Sequence, residues 1–134
     1  MNATAVIQTL LKLGVQVKDA WTKSNQNWVT FLDSSAFKDI QGTVGGLIQS
    51  LQGPSLQNTI TAVQQKESDL LNGRAIPALS VDELTQYHAL SDVEHQLVTK
   101  LLTTSDPRSF LSVLVTDVLP VLVQGAKIVI PLLT

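Results

Sequence analysis

Apolar residues recur along this chain at steps of three and four, broken by glycine, proline and short polar runs. Val6, Leu10, Leu13, Val17 and Trp21 share one helical face, with Gln8, Lys12, Gln16 and Asp19 on the other, so the spacing predicts a helix over about 4–23. Ser24-Asn25-Gln26-Asn27 has the residues of a turn, and Trp28 to Leu32 makes a short apolar piece. Asp33, Ser34 and Ser35 are all good N-cap residues before the next stripe: Phe37, Ile40, Val44, Leu47 or Ile48, and Leu51. Gly42, Gly45 and Gly46 interrupt that stripe, each costing about 1 kcal/mol relative to alanine inside a helix. The one-turn spacing of Gly42 and Gly46 favours close packing of this helix on a neighbour within the chain over a dimer contact, with a hinge or a frayed end also open to it.

Gly53-Pro54 ends that helix and Ser55 can cap the next, whose core face is Leu56, Ile60, Val63 and Leu70 and whose C′ residue is Gly73. Residues 74–79, with Pro77, read as an extended crossing. Ser80-Val81-Asp82-Glu83 is a capping box, flanked by Leu79 and Leu84 as a hydrophobic staple. Ser91-Asp92-Val93-Glu94 repeats the box. In one continuous helix Glu94 would lie mid-stripe beside Tyr87, Leu90, Leu97 and Leu101, so a kink at Ser91 is the favoured expectation. Asp106-Pro107 is a clean helix start. From there Leu111, Val115, Val118, Leu122, Ala126, Val129 and Leu133 keep helical spacing through Pro120. A rival reading makes a hairpin of 121–123 and 127–130 about Gln124-Gly125, because β-branched residues are dense there; helix is favoured.

The expected fold is all-α: one domain over 1–134, a bundle of about five to six helices with a strongly apolar C-terminal helix, a kink allowed at Pro120. Composition narrows the function. Hydrophobic residues make up 44 % and charged residues only 15 %, against about 25 % charged in an average globular chain. Such a chain has apolar area to spare for a partner, an oligomer or a lipid-like ligand. The absence of cysteine excludes disulfides, thiolate zinc sites and thiol catalysis. Nine basic against eleven acidic residues, without a basic run, argue against nucleic acid.

Neither a signal peptide nor a transmembrane span is expected. Met1-Asn2-Ala3-Thr4 has no basic segment ahead of a cleavable apolar block, so both a cytoplasmic protein and a secreted one lacking its leader fit. Asn2-Ala3-Thr4 matches the glycosylation acceptor pattern, too short a match to decide between them. In the apolar tail 110–134, Asp117, Lys127, Pro120 and Pro131 interrupt the run, leaving nine uncharged residues at 118–126 where a span needs about 20. The tail therefore reads as buried or interfacial, with peripheral membrane contact open to it.

No phosphate loop, nucleophile elbow or His-Glu-x-x-His motif is present. His88, Asp92 and His95 would share one face of an unbroken helix and are weak metal candidates; a solvated polar edge is the preferred reading. Glu67 interrupts an apolar stripe. It is either a polar handle for a ligand headgroup or, preferably, half of a pair with Arg74 or a neighbour of Lys66. Trp21 and Trp28 can line a cavity mouth or lid the core. The candidate ligand-binding set is Trp21, Trp28, Glu67, Leu114, Val118 and Leu122. The expected function is that of a non-enzymatic, cofactor-free module binding an apolar small molecule, lipid or hydrophobic surface. The alternative is a self-associating or adaptor protein using the same surplus apolar surface.

Overall fold

The computed structural model describes residues 2–51, 53–104 and 106–134. Among them lie seven α-helices and no strand: α1 (Ala3–Ser24), α2 (Trp28–Leu32), α3 (Ser35–Leu51), α4 (Pro54–Leu71), α5 (Val81–Gln96), α6 (Pro107–Val113) and α7 (Leu119–Leu133). Two π-helical turns, Leu97–Leu101 and Leu114–Val118, extend α5 and join α6 to α7. The described residues thus make six continuous helical rods, close to the number expected from the chain's punctuation.

Polar side chains at the starts of these helices take up backbone donors that have no partner inside the helix. Asn2 accepts from the Ala5 N–H (2.8 Å), Asn27 from Thr30 (2.8 Å) and Asp106 from Ser109 (3.0 Å). The Ser80 box is complete: Ser80 Oγ accepts from the Glu83 N–H at 3.2 Å, and the Ser80 N–H donates to Glu83 Oε1 at 3.1 Å. Helix α4 departs slightly from expectation. It begins at Pro54 behind Gly53, whose φ of 75° only glycine adopts at little cost, and Ser55 lies inside it.

Helices α1, α4, α5 and α7 close a ring, each packed on the next. Residues 2–5 line a groove with Leu133 and Thr134, Asp82 another with Pro131 and Leu132, and Lys66, Asp69 and Leu70 a third with Leu132. The four rods therefore run up, down, up and down. One end of the bundle holds the start of α1 and the end of α7; the other carries α2, α3 and the start of α6. There Arg108 reaches Asp33 at 3.1 Å. The ring encloses one apolar core, including Leu10, Leu13, Leu56, Val63, Leu90, Leu97, Leu114 and Leu122, and its one buried polar residue among those described is Thr59. Thr59 Oγ1 donates to the Ser55 carbonyl at 2.8 Å, which removes the cost of burying it.

Two expectations are corrected, and the favoured choice of helix over hairpin at 121–130 is upheld. Helix α5 runs through Ser91 without a break, because Leu90, Val93, Leu97 and Leu101 form a single buried stripe that a kink would scatter. The region 121–130 is helix, not hairpin: Leu119, Leu122, Ala126 and Val129 are buried at steps of three and four, and burial outweighs β-propensity. Gly42 and Gly46 are exposed, and a methyl group built on either meets nothing within 4 Å, so α3 does not use them for close packing. Gly42→Ala and Gly46→Ala should each raise stability by about 0.4–1 kcal/mol. A higher urea midpoint checks this, and a lower one at either position would reinstate a close contact. The close approaches lie elsewhere. A Cβ on Gly14 would come within 2.8 Å of Leu119 Cδ1, and one on Gly125 within 3.3 Å of Val93 Cγ2.

Pro120 sits in the first turn of α7. A proline there lacks an N–H and crowds the carbonyl four residues back. In the preceding π-helical turn the Leu119 N–H donates to the carbonyl of Leu114, five residues back, so the bonding register has already shifted where the proline enters. The apolar stripe passes through without interruption.

Candidate functional site

The candidate residues fall in three places. Trp21 and Trp28 begin an aromatic chain at the α2–α3 end, with ring centroids 5.3 Å apart for Trp21–Trp28 and 5.7 Å for both Trp28–Phe31 and Phe31–Phe37. Each such contact contributes about 0.5–1.5 kcal/mol. Trp21 Nε1 donates to the Gln26 carbonyl at 2.6 Å, while Trp28 Nε1 is buried without a protein partner. Phe31 and Phe37 are buried and the two indoles half-buried, the placement of a core lid.

Leu114, Val118 and Leu122 are completely buried, the first two in the π-helical turn that packs on α1 and on its counterpart Leu97–Leu101. Any ligand reaching them must first part the helices.

Glu67 lies on α4 where it faces α5. Its carboxyl is pushed up to about 8, first by burial and then by the neighbouring Glu94 carboxyl through a hydrogen bond and charge repulsion. Its Oε1 is buried without a protein partner. Glu94 also accepts from Gln64 Nε2 at 3.1 Å. The expected pairing of Glu67 with Arg74 is overturned: Arg74 binds both carboxylate oxygens of Glu83, and also donates to the Leu70 and Leu71 carbonyls. Arg74 holds Glu83 down at about 2, helped by the Ser80 backbone N–H. The helix end draws the guanidinium to its free carbonyls, away from the seam.

On the continuous α5, His88, Asp92 and His95 are all exposed. His88 and Asp92 line a groove of about 350 Å³ with Thr85, Val121, Gln124 and Gly125, whereas His95 lines a different one with Gln64, Ser91 and Glu94. No group of three or more metal-ligating side chains occurs among the described residues.

Two features escaped the sequence reading. Glu94 is the partner of Glu67, which an unbroken α5 stripe would have implied. A groove of about 230 Å³ opens where α4, α5 and α7 converge, lined by Lys66, Asp69, Leu70, Leu90 and Leu132. These residues come from three helices, and no local pattern joins them. The adjoining rod Arg108–Leu133 is long and apolar enough, by length and composition, to cross a membrane, and its inner face is packed in the bundle core.

Fold and seam together define an up-down-up-down four-helix bundle with a helical insert after its first helix and a carboxyl pair between its second and third. No protein-family model, curated protein or solved structure matches the chain.

Proposed function

We propose that the protein is a non-enzymatic helical module that takes up an apolar ligand with a polar head, such as a long-chain fatty acid, along the meeting line of α4, α5 and α7. The observation that carries this reading is a carboxyl seam beside an apolar groove. Lys66 and Leu70 of the groove flank Glu67 on α4, and Leu90 precedes Glu94 by one helical turn on α5. Apolar walls with a few polar groups are the usual lining of a small-molecule site. The groove is smaller than the roughly 300 Å³ at which ligand sites begin, so it holds part of a chain. The remainder enters as α4 and α5 separate along the Glu67–Glu94 line, where two carboxyl groups meet in place of aliphatic side chains. Pro120 and the π-helical turn before it give α7 a point about which to bend as the seam opens.

The test is titration of the folded protein with an environment-sensitive apolar dye, followed by competition with a long-chain fatty acid. Covering 200 Å² of acyl chain contributes about 5 kcal/mol gross, enough for micromolar binding when ordering costs are small. Saturable dye fluorescence displaced by the fatty acid is the expected result. A monomer that takes up neither overturns the reading, and a dimer that takes up neither favours self-association instead.

A further inference from the structure

We propose that the crossing between α4 and α5, residues 75–81, is a docking tip that inserts shallowly into a lipid surface. The segment reads Ala-Ile-Pro-Ala-Leu-Ser-Val and carries no charge. All of it but Leu79 is exposed, Ile76 to 43 % and Val81 to 81 %. Isolated exposed aliphatics are ordinary. Here four apolar residues in a row, Ala75 to Ala78, are exposed, with Val81 three residues on, in a chain that buries most of its other aliphatic side chains.

The tip is held in place rather than frayed. A 3-10 turn spans Ile76–Ala78 around Pro77, the Ala78 N–H donates to the Ala75 carbonyl (2.9 Å) and the Leu79 N–H to that of Ile76 (3.1 Å). The Ser80 N–H is taken by Glu83 Oε1 at 3.1 Å, and Pro77 has no donor to satisfy. Three of the tip's N–H groups, those of Ala78, Leu79 and Ser80, are thus paired locally, which lowers the cost of moving the turn into a hydrated lipid interface though not into hydrocarbon. At its base two charges, Arg74 and Glu83, bind each other and draw back onto the ends of α4 and α5.

The size of the tip selects its occupant. A specific protein interface buries about 1,000 Å² or more, and a turn with six small or medium exposed residues cannot supply it. Insertion into a bilayer interface needs no complementary surface and gains from each apolar side chain separately. Asp82 stands exposed at the edge of the tip, and the chain's net charge is −2, so a zwitterionic surface suits it better than an anionic one. This proposal does not rest on the ligand reading, because tip and groove share no residue.

Flotation of the full chain with phosphatidylcholine vesicles tests it, beside the double variant Ile76→Asp/Val81→Asp. Both positions are exposed, so the variant should keep its helical circular dichroism and its dye uptake. The wild type should float, and partitioning of the variant should fall at least about tenfold. Since the chain has no cysteine, a single polarity-sensitive label on Ile76→Cys should shift to the blue on adding vesicles. The same label on Val29→Cys, 67 % exposed at the other end of the bundle, should not. A wild type that stays unbound, a variant that floats equally well, or a tip-dependent dimer that does not float each overturns the proposal.

Discussion

Leu122→Asp should leave no stably folded protein. Leu122 is fully buried in the first turn of α7, in an apolar core enclosed by the ring of helices. Removing the side chain from the core costs about 2–5 kcal/mol. Placing a carboxylate there adds several more, because no cation is within the core to pair with it. A domain of this size has about 5–15 kcal/mol in all. Circular dichroism should show a collapsed helical signal, or a melting temperature lowered by tens of degrees. A folded Leu122→Asp protein would mean that α7 faces a cavity or solvent at this position. Val118→Asp should behave alike, so loss of ligand uptake in either variant reports the core rather than a ligand contact.

Glu67→Gln should act in the opposite direction, and only at higher pH. Glu67 has its carboxyl raised to about 8 in the folded chain, against 4.5 as the ordinary value. Between these values the folded state holds a proton that the unfolded state has released, so stability falls as pH rises through this window and levels off above it. Glutamine keeps a donor for Glu94 and cannot ionise. The variant should therefore lose the slope and melt above the wild type at pH 8, by about 1–3 kcal/mol once solvent screening at the seam is allowed for. That is roughly 3–10 °C for a domain of this length. Glu83, lowered to about 2, and Asp106, lowered by its bonds to Ser109, work the other way, and their contribution is lost as pH falls below the usual carboxylate range. Wild-type stability should peak near about pH 5. A melting curve independent of pH between 5 and 8, unchanged by Glu67→Gln, would place Glu67 in solvent.

Much of the bundle was legible in the chain because its signals are local. The steps from Val6 to Val17, the Ser80 box and the Asp106-Pro107 start each depend on residues within a turn or two, and each appears where expected. The errors came where a local signal competed with a distant contact. Ser91 has the residues of a box, but the buried line from Leu90 to Leu101 is secured by the core, and the helix stays whole. Gly42 and Gly46 have the spacing of a packing motif and no neighbour to use it on. The π-helical turns have no sequence signature of their own; only Pro120 hints at the second.

Of the candidate site, Glu67 was visible as a carboxylate out of place in an apolar stripe. Its partner was not, because Glu67 and Glu94 meet across two helices, and Arg74, the nearer choice along the chain, was drawn to the end of α4. Leu114, Val118 and Leu122 were read correctly as apolar positions of one helix, yet an apolar stripe looks the same whether a ligand or a neighbouring helix covers it.

Native mass spectrometry of the purified chain, mixed with a long-chain fatty acid, tests the apolar-ligand function most directly, since one spectrum reports both oligomer and bound mass. The expected species is a monomer of 14.5 kDa carrying one fatty acid, with the adduct saturating at one per chain. A ligand-free monomer at saturating fatty acid, or a ligand-free dimer, would contradict that function.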